Sequence, residues 1–478
     1  MPEQDLLITG GYVVTLDPAL GDFPEADVLV RDGRIARIGL GLAGEALGAR
    51  VIDARGRLVI PGLVDTHRHV WQGALGGATG QVSLAGYSTA VIGGLAPHYE
   101  AEDIYAGTLW GALQALNAGI TTIADWSHNL ATPADADANV EALRDSGIRG
   151  IFLYGGPGPD RNGFFGRPAP THPADARRVR AALFPEGDGG RLQMGLALRG
   201  PAFTTPEATV ADFGLARDLG LPISIHVGMS GFPNSVDTLD RLGLLGPDVN
   251  YAHANQLSDR EFDLIAASGG SISLCPSVDM LMALGTYPAT GQVLARGIPA
   301  GLSVDTTTGT GTDLFTEMRV ALAAERSRAN AAAVSRGEAV TTVDLDQRDM
   351  LQLATSGGAR AWHLDHEVGM LTPGKAADVI VVDTRRPHLD GFGDPVPMLV
   401  MGAGPADVET VIVAGQVVKA AGELSGAHVE RASRLMHESR DRIRARMGRS
   451  GRLSGTTTMA LASIHGTNGY PETEATCL

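Results

Sequence analysis

The stretch LVIPGLVDTHRH, residues 58–69, is a nearly continuous apolar run that ends in two histidines one residue apart. Successive side chains of a β-strand project to opposite faces, so His67 and His69 point the same way while Arg68 points away. Two imidazoles at the mouth of a strand can share one divalent metal ion, a use that separates this run from an ordinary buried strand.

The chain beyond it alternates apolar runs with segments of helical spacing. Eight runs read as strands: residues 62–67, 121–126, 150–155, 193–198, 222–227, 249–254, 271–276 and 300–305. Strands apolar on both faces suit a parallel sheet covered by helices. The intervening stretches, such as EDIYAGTLWGALQALNAG, carry apolar residues at helical spacing with glycine near their ends. Eight such units predict an α/β fold, a (β/α)8 TIM barrel over residues 61–365, with its chemistry at the C-terminal ends of the strands. Two blocks of short strands with turn signals, residues 1–60 and 366–424, predict a small β-sandwich domain formed by both chain ends. Residues 425–478 predict a solvated helix rich in Arg and Glu, then a mobile tail suited to reach a neighbouring subunit.

The formal net charge of −16 and the lack of a basic cluster exclude a nucleic-acid partner and an anionic membrane surface. The first residues, MPEQDLLITGGYVV, lack a basic region followed by an apolar core, so no signal peptide is expected. No run approaches the roughly 18 apolar residues of a membrane span. The two cysteines, Cys275 and Cys477, make neither a disulfide framework nor a thiolate metal cage. These features predict a soluble, cytoplasmic protein. Two lysines occur in the whole chain, Lys375 and Lys419, both outside the predicted barrel.

On this reading the metal-capable residues converge. His67 and His69 end the first strand, Asp125 and His128 the second, His226 the fifth, His253 the sixth and Asp305 the eighth. One histidine on an apolar strand is ordinarily a hydrogen-bonded core residue; five with two carboxylates on one barrel rim indicate a site. Two other patterns are set aside. GLGLAG at 39–44 fits G-x-G-x-x-G but lies between short strands with no βαβ unit, and His363 and His366 precede a returning strand as surface structure.

PGLVDTHRH, the IHV of the fifth strand, YAHANQLSDRE of the sixth and SVDT of the eighth resemble the amidohydrolase superfamily, as does VGMLTPGKAADVIVVD at 368–383. The resemblance is nearest the branch of cytosine, guanine and adenosylhomocysteine deaminases and triazine hydrolases. It implies His67, His69, His226 and Asp305 as metal ligands, with Asp305 also moving protons and His253 hydrogen-bonding the attacking water or the substrate. Binuclear relatives bridge two metals with a carbamylated lysine on the fourth strand. That strand reads QMGLALRGP here, so one divalent ion is expected, zinc by preference, with Fe2+, Co2+ or Mn2+ compatible.

The chain departs from the branch in one place that matters for chemistry. Deaminases of this kind carry a glutamate three residues after the fifth-strand histidine, which serves a ring nitrogen; HVGMSG puts Met229 there. Leu274-Cys275-Pro276 also stands where His-Cys-Pro is common, with Asp279 in place of an asparagine. Hydrolysis of an amide, urea or carbamate needs no protonated ring nitrogen, so a C–N hydrolase of that class, similar to phenylurea and thiocarbamate hydrolases, is the leading expectation. Deamination of a purine, pyrimidine or s-triazine is the alternative, and a non-catalytic binding protein the third. Expected substrate contacts are Trp71, Gln72, Trp126, His128, Arg199 and Met229, with Met280, Leu281 and Met282 making the pocket apolar. A homodimer or larger homo-oligomer acting on a small molecule is implied by the resemblance.

Overall fold

The structure, a computed structural model, describes residues 5–155, 175–185, 190–391 and 393–449. The tail expected after the last helix lies outside these residues. Eight strands form one parallel sheet in chain order: Leu63–Arg68, Ile120–Ser127, Arg149–Tyr154, Leu192–Leu198, Ile223–Val227, Val249–His253, Ser271–Leu274 and Ala300–Leu302. Each falls on one of the eight apolar runs. The sheet closes on itself through a parallel bridge between Arg68 and Asp305. There the His69 N–H donates to the Asp305 carbonyl at 2.8 Å and the Asp305 N–H to the His67 carbonyl at 3.0 Å. The seam that shuts the barrel thus runs through the two-histidine motif itself.

Local signals start and stop the covering helices. Ser258 and Glu261 form a capping box at the head of Asp259–Ser268, and Gly269 ends it in the left-handed conformation. Thr132 and Pro133 open Pro133–Ser146 in the same way, with Gly147 as its stop.

Nine further strands, drawn from residues 6–61 and 379–424, hydrogen-bond into one continuous mixed sheet. Leu6, Ile8, Val28, Val30, Val59, Val379, Val381 and Ile412 form a core belonging to this sheet alone. The opening stretch of sequence therefore serves two sheets. Arg57–Pro61 pairs with Val379–Asp383, and Leu63–Arg68 begins the barrel. Gly62 is the joint: its N–H donates to Asp378 O at 2.9 Å, and a Cβ there would lie 2.1 Å from Thr121 Oγ1.

The helix Gly426–Arg449, expected to be solvated, is amphipathic and docked. It buries Ala432, Met436, Ile443 and Met447. Its arginines pair with the acidic first turn of Ala101–Asn117: Arg442 with Glu102 at 2.7 Å, Arg446 with Glu100 at 2.6 Å and also with Asp103. Among the described residues no helix is long and apolar enough to cross a membrane.

Candidate metal centre and substrate cavity

His67, His69, His226, His253 and Asp305 meet at the C-terminal ends of their strands. The ligand atoms of His67, His69 and Asp305 lie within 4.8 Å of one another, as do those of His67, His226 and His253, and of His253, Cys275 and Asp305. The backbone is bent to achieve this. His253, Ala254 and Asp305 have φ of 74°, 65° and 61°, a region that non-glycine residues occupy at a cost of order 1 kcal/mol each. Gly228, at φ +67°, lets the turn after the fifth strand press against Ala254, whose carbonyl carbon would lie 2.8 Å from an added Cβ. This contact brings the His226 and His253 rings to 5.3 Å.

The donor set fits a divalent metal ion. Both ring nitrogens of His67 and Oδ1 of Asp305 are buried without a hydrogen-bond partner, which in an empty interior would cost several kcal/mol. Asp305 Oδ1 lies 3.3 Å from His67 Nε2 and 3.2 Å from His69 Nε2, without hydrogen-bond geometry to either. Ligand atoms about 2.1 Å from one tetrahedral ion stand about 3.4 Å apart, so the spacing suits a shared ion. His69 Nδ1 donates to the Trp126 carbonyl at 2.7 Å, which fixes the tautomer and leaves Nε2 facing Asp305.

Burial holds the imidazoles of His67, His69 and His226 below the usual histidine range, in the neutral form that binds metals. Burial alone would raise the Asp305 carboxyl, but the imidazoles of His67, His253 and His69 hold it well below the usual carboxylate range. His253 differs. Burial opposes its protonation, yet Asp279, 2.9 Å from Nδ1, together with Asp305, raises it. No lysine approaches the cluster: Lys375 donates to the Asp365 carbonyl, and Lys419 to the Asn117 carbonyl at 2.7 Å.

Asp125, expected on the same rim, is turned away from the cluster. It accepts from the Val70 N–H at 3.1 Å and from Asn139 Nδ2 at 2.8 Å, and so anchors the turn that follows His69. Burial pushes its carboxyl up to about 8.

A cavity opens onto the cluster. Of the expected substrate contacts, Trp126, His128 and Met229 line it, with Met282. The others lie elsewhere. Trp71 is fully buried edge-on to Tyr99, with ring centroids 5.0 Å apart. Gln72 sits behind the wall, between Tyr87 and Thr306. Arg199 is drawn to Asp212 at 3.7 Å. Met280 and Leu281 face solvent, because the short helix Pro276–Leu281 turns Pro276, Ser277, Val278 and Asp279 inward. Burial lowers His128 to about 4, so it is neutral near pH 7.

Tyr87, Phe203, Leu84 and Leu284 are also among the described lining residues and had no motif to mark them. The signal for Tyr87 was the long connection between His69 and Ala101, far longer than a usual βα loop. It holds Leu84–Tyr87 and a following helical turn, and Leu84 N–H donates to Met282 O at 3.1 Å, fixing this connection across the cavity mouth.

The chain belongs to the amidohydrolase family, whose model matches residues 58–418. It is 32% identical over 434 residues to the 5'-deoxyadenosine deaminase of Methanosarcina mazei, covering 87% of this chain and 92% of that protein. The 5-methylthioadenosine/S-adenosylhomocysteine deaminase of Symbiobacterium thermophilum is 30% identical, with 87% of this chain and 93% of that one covered. The fold matches a zinc-bound adenosine deaminase from Xanthomonas campestris at a TM-score of 0.78 and 23% identity, over 93% of this chain and 100% of that one. It also matches the zinc complex of atrazine chlorohydrolase from Arthrobacter aurescens at 0.78 and 24%, over 91% and 99%. The protein is accordingly a hydrolase acting on carbon–nitrogen bonds other than peptide bonds.

Proposed function

We propose that this hydrolase cleaves a C–N bond at the sp² carbon of a compact, uncharged, mostly apolar amide, urea or carbamate. One divalent ion, zinc by the preference of the donors, would be held by His67, His69, His226 and Asp305. The observation that carries this reading is the cavity wall. Leu84, Phe203, Met229, Val278, Met282 and Leu284 surround the cluster, and among the described lining residues Asp305 is the one carboxylate. Apart from the polar tips of Tyr87, Thr306 and His128 this wall is apolar, and among the described residues it holds no Lys or Arg to pair with an anionic substituent.

An ion held by these residues would lower the pKa of a bound water from about 15.7 to ~7 and could polarise a substrate carbonyl. Asp305, an ionised carboxylate in a dry site, accepts the proton of the attacking water and passes it to the leaving nitrogen. His253 is tied at Nδ1 to Asp279, so its Nε2 faces the reacting group and stabilises the oxygen that gains charge as the carbon becomes tetrahedral. Trp126 and His128 bound one side of the substrate, and Met229 closes the cavity where a proton-carrying side chain would sit in a deaminase.

Deamination of an adenine-like ring is the second reading, favoured by relatives that deaminate adenosine derivatives. It requires His128 or water to serve the ring nitrogen. The purified protein should be stripped with a chelator, reloaded with zinc and assayed on phenylureas, carbamates, anilides, adenosine derivatives and s-triazines. We expect turnover of the first three, lost on stripping, restored on reloading, and abolished in Asp305→Asn with metal content measured alongside. Ammonia release from the heterocycles alone would replace this reading with the second; full activity of Asp305→Asn would overturn both.

A further inference from the structure

Behind the cavity wall runs a chain of hydrogen bonds whose polarity is fixed by its members. Thr79 Oγ1 donates to Thr308 Oγ1 at 2.7 Å. Thr306 Oγ1 donates to Gln72 Oε1 at 2.5 Å. A hydroxyl has one proton, so in the 2.9 Å contact between Thr308 and Thr306 the donor is Thr308. The other end of the Gln72 amide, Nε2, donates to Tyr87 Oη at 2.5 Å. An amide nitrogen donates only, so the phenolic proton of Tyr87 is not used by Gln72.

Each threonine hydroxyl proton in the row is thus spent on the next acceptor and one amide N–H of Gln72 on Tyr87, so among the described residues the hydroxyl proton that the row leaves free is that of Tyr87. Its ring lines the cavity with His69, His128 and Asp305. All five residues of the row are buried, which makes a wasted donor costly. A row held in register by three hydroxyls and an amide also costs little reorganisation when a ligand arrives.

We propose that Tyr87 donates its hydroxyl proton in a hydrogen bond to an acceptor atom of the substrate, and that it selects for substrates bearing an oxygen or nitrogen there. The inference rests on the hydrolase reading above, since it places the acceptor beside the attacked carbon. Burial raises the phenol further above its ordinary range, so it stays protonated throughout the neutral region. Gln72 acts through Tyr87 as a positioning residue: it fills one lone pair of the phenol oxygen and turns the O–H toward the cavity. In this way a neutral donor supplies part of what Met229 cannot.

The test uses the zinc-loaded full chain and a matched pair of substrates that differ only in carrying a carbonyl oxygen or ring nitrogen, against CH2 or CH, next to the cleaved bond. Tyr87→Phe should lower kcat/KM for the acceptor-bearing substrate about 100-fold, with metal content and Tm unchanged. It should leave the poorer substrate nearly unaffected, so the discrimination between the two collapses. Gln72→Leu should lose about 10-fold on the same substrate only, and it serves if Tyr87→Phe proves unstable. Equal losses on both substrates, or kcat/KM within about twofold of wild type, would overturn the role of Tyr87. If Asp305→Asn is dead in the same assay, that result leaves the hydrolase reading standing. If Asp305→Asn is active, the hydrolase reading is what fails.

Discussion

Met229→Glu restores the side chain that the deaminase branch uses, in a nearly isosteric exchange, and the structure sets what it should cost. Met229 is 3% exposed in an apolar cavity. Glu317, another fully buried glutamate of this chain, is pushed by burial from 4.5 up to about 8, even with the Ser277 N–H donating to it at 2.9 Å. A carboxyl introduced at 229 should behave similarly in metal-free protein. A folded-state pKa above the unfolded value means the native state binds more protons, so stability falls as pH rises from 4.5 towards 8. At 1.36 kcal/mol per unit, the penalty against wild type is ~1 kcal/mol near pH 5 and ~3 kcal/mol near pH 7. It is ~4 kcal/mol near pH 8 and levels off at ~5 kcal/mol above it, and these are upper values because neighbouring imidazoles favour the anion. Urea unfolding of variant and wild type at these pH values measures it. Zinc should recover part of the loss, since a cation stabilises the new carboxylate. A penalty that does not change with pH would refute the picture of a dry, apolar wall at 229. In the loaded enzyme the same variant should gain activity on adenosine derivatives or triazines; no gain would show that the missing proton carrier is not what separates this site from a deaminase.

Asp279→Asn keeps an oxygen for His253 Nδ1 but removes the charge that raises the imidazole; kcat/KM should fall about 10- to 100-fold with zinc content unchanged. The loss should deepen as pH rises, because His253 without the Asp279 charge gives up its second proton at lower pH than in wild type, and a flat pH–rate comparison with wild type would refute it. Gly62→Ala should destabilise by about 1–3 kcal/mol, because the added carbon meets Thr121 Oγ1 at 2.1 Å where two sheets join. Chemical denaturation would show it; an unchanged midpoint would mean the joint can shift.

Much of the architecture could be read from the chain because its signals are local. All eight barrel strands lie on apolar runs, since a strand covered on both faces must be apolar along its length. The ends of those runs named His67, His69, His226, His253 and Asp305 as neighbours once a closed barrel was assumed. The docked helix Gly426–Arg449 was misread, because its arginines look solvated until the acidic turn at Glu100–Asp103 is placed beside them. Asp125 was misread for a similar reason. Its position at a strand end is visible in sequence, but its choice of Val70 N–H and Asn139 over the cluster is a matter of side-chain direction.

By itself the sequence determined the two-histidine strand end, the eight-unit barrel, the sheet shared by both termini and the lack of any lysine in the barrel. Each depends on residue type and spacing along one element. The tertiary structure alone decided that the barrel closes through His67, His69 and Asp305, and that Gly62 divides the opening stretch between two sheets. It also replaced Trp71, Gln72 and Arg199 with Tyr87, Phe203 and Leu284 as the wall. Those outcomes depend on which side chains from distant segments reach the same few ångströms, and no periodicity along the chain encodes that meeting.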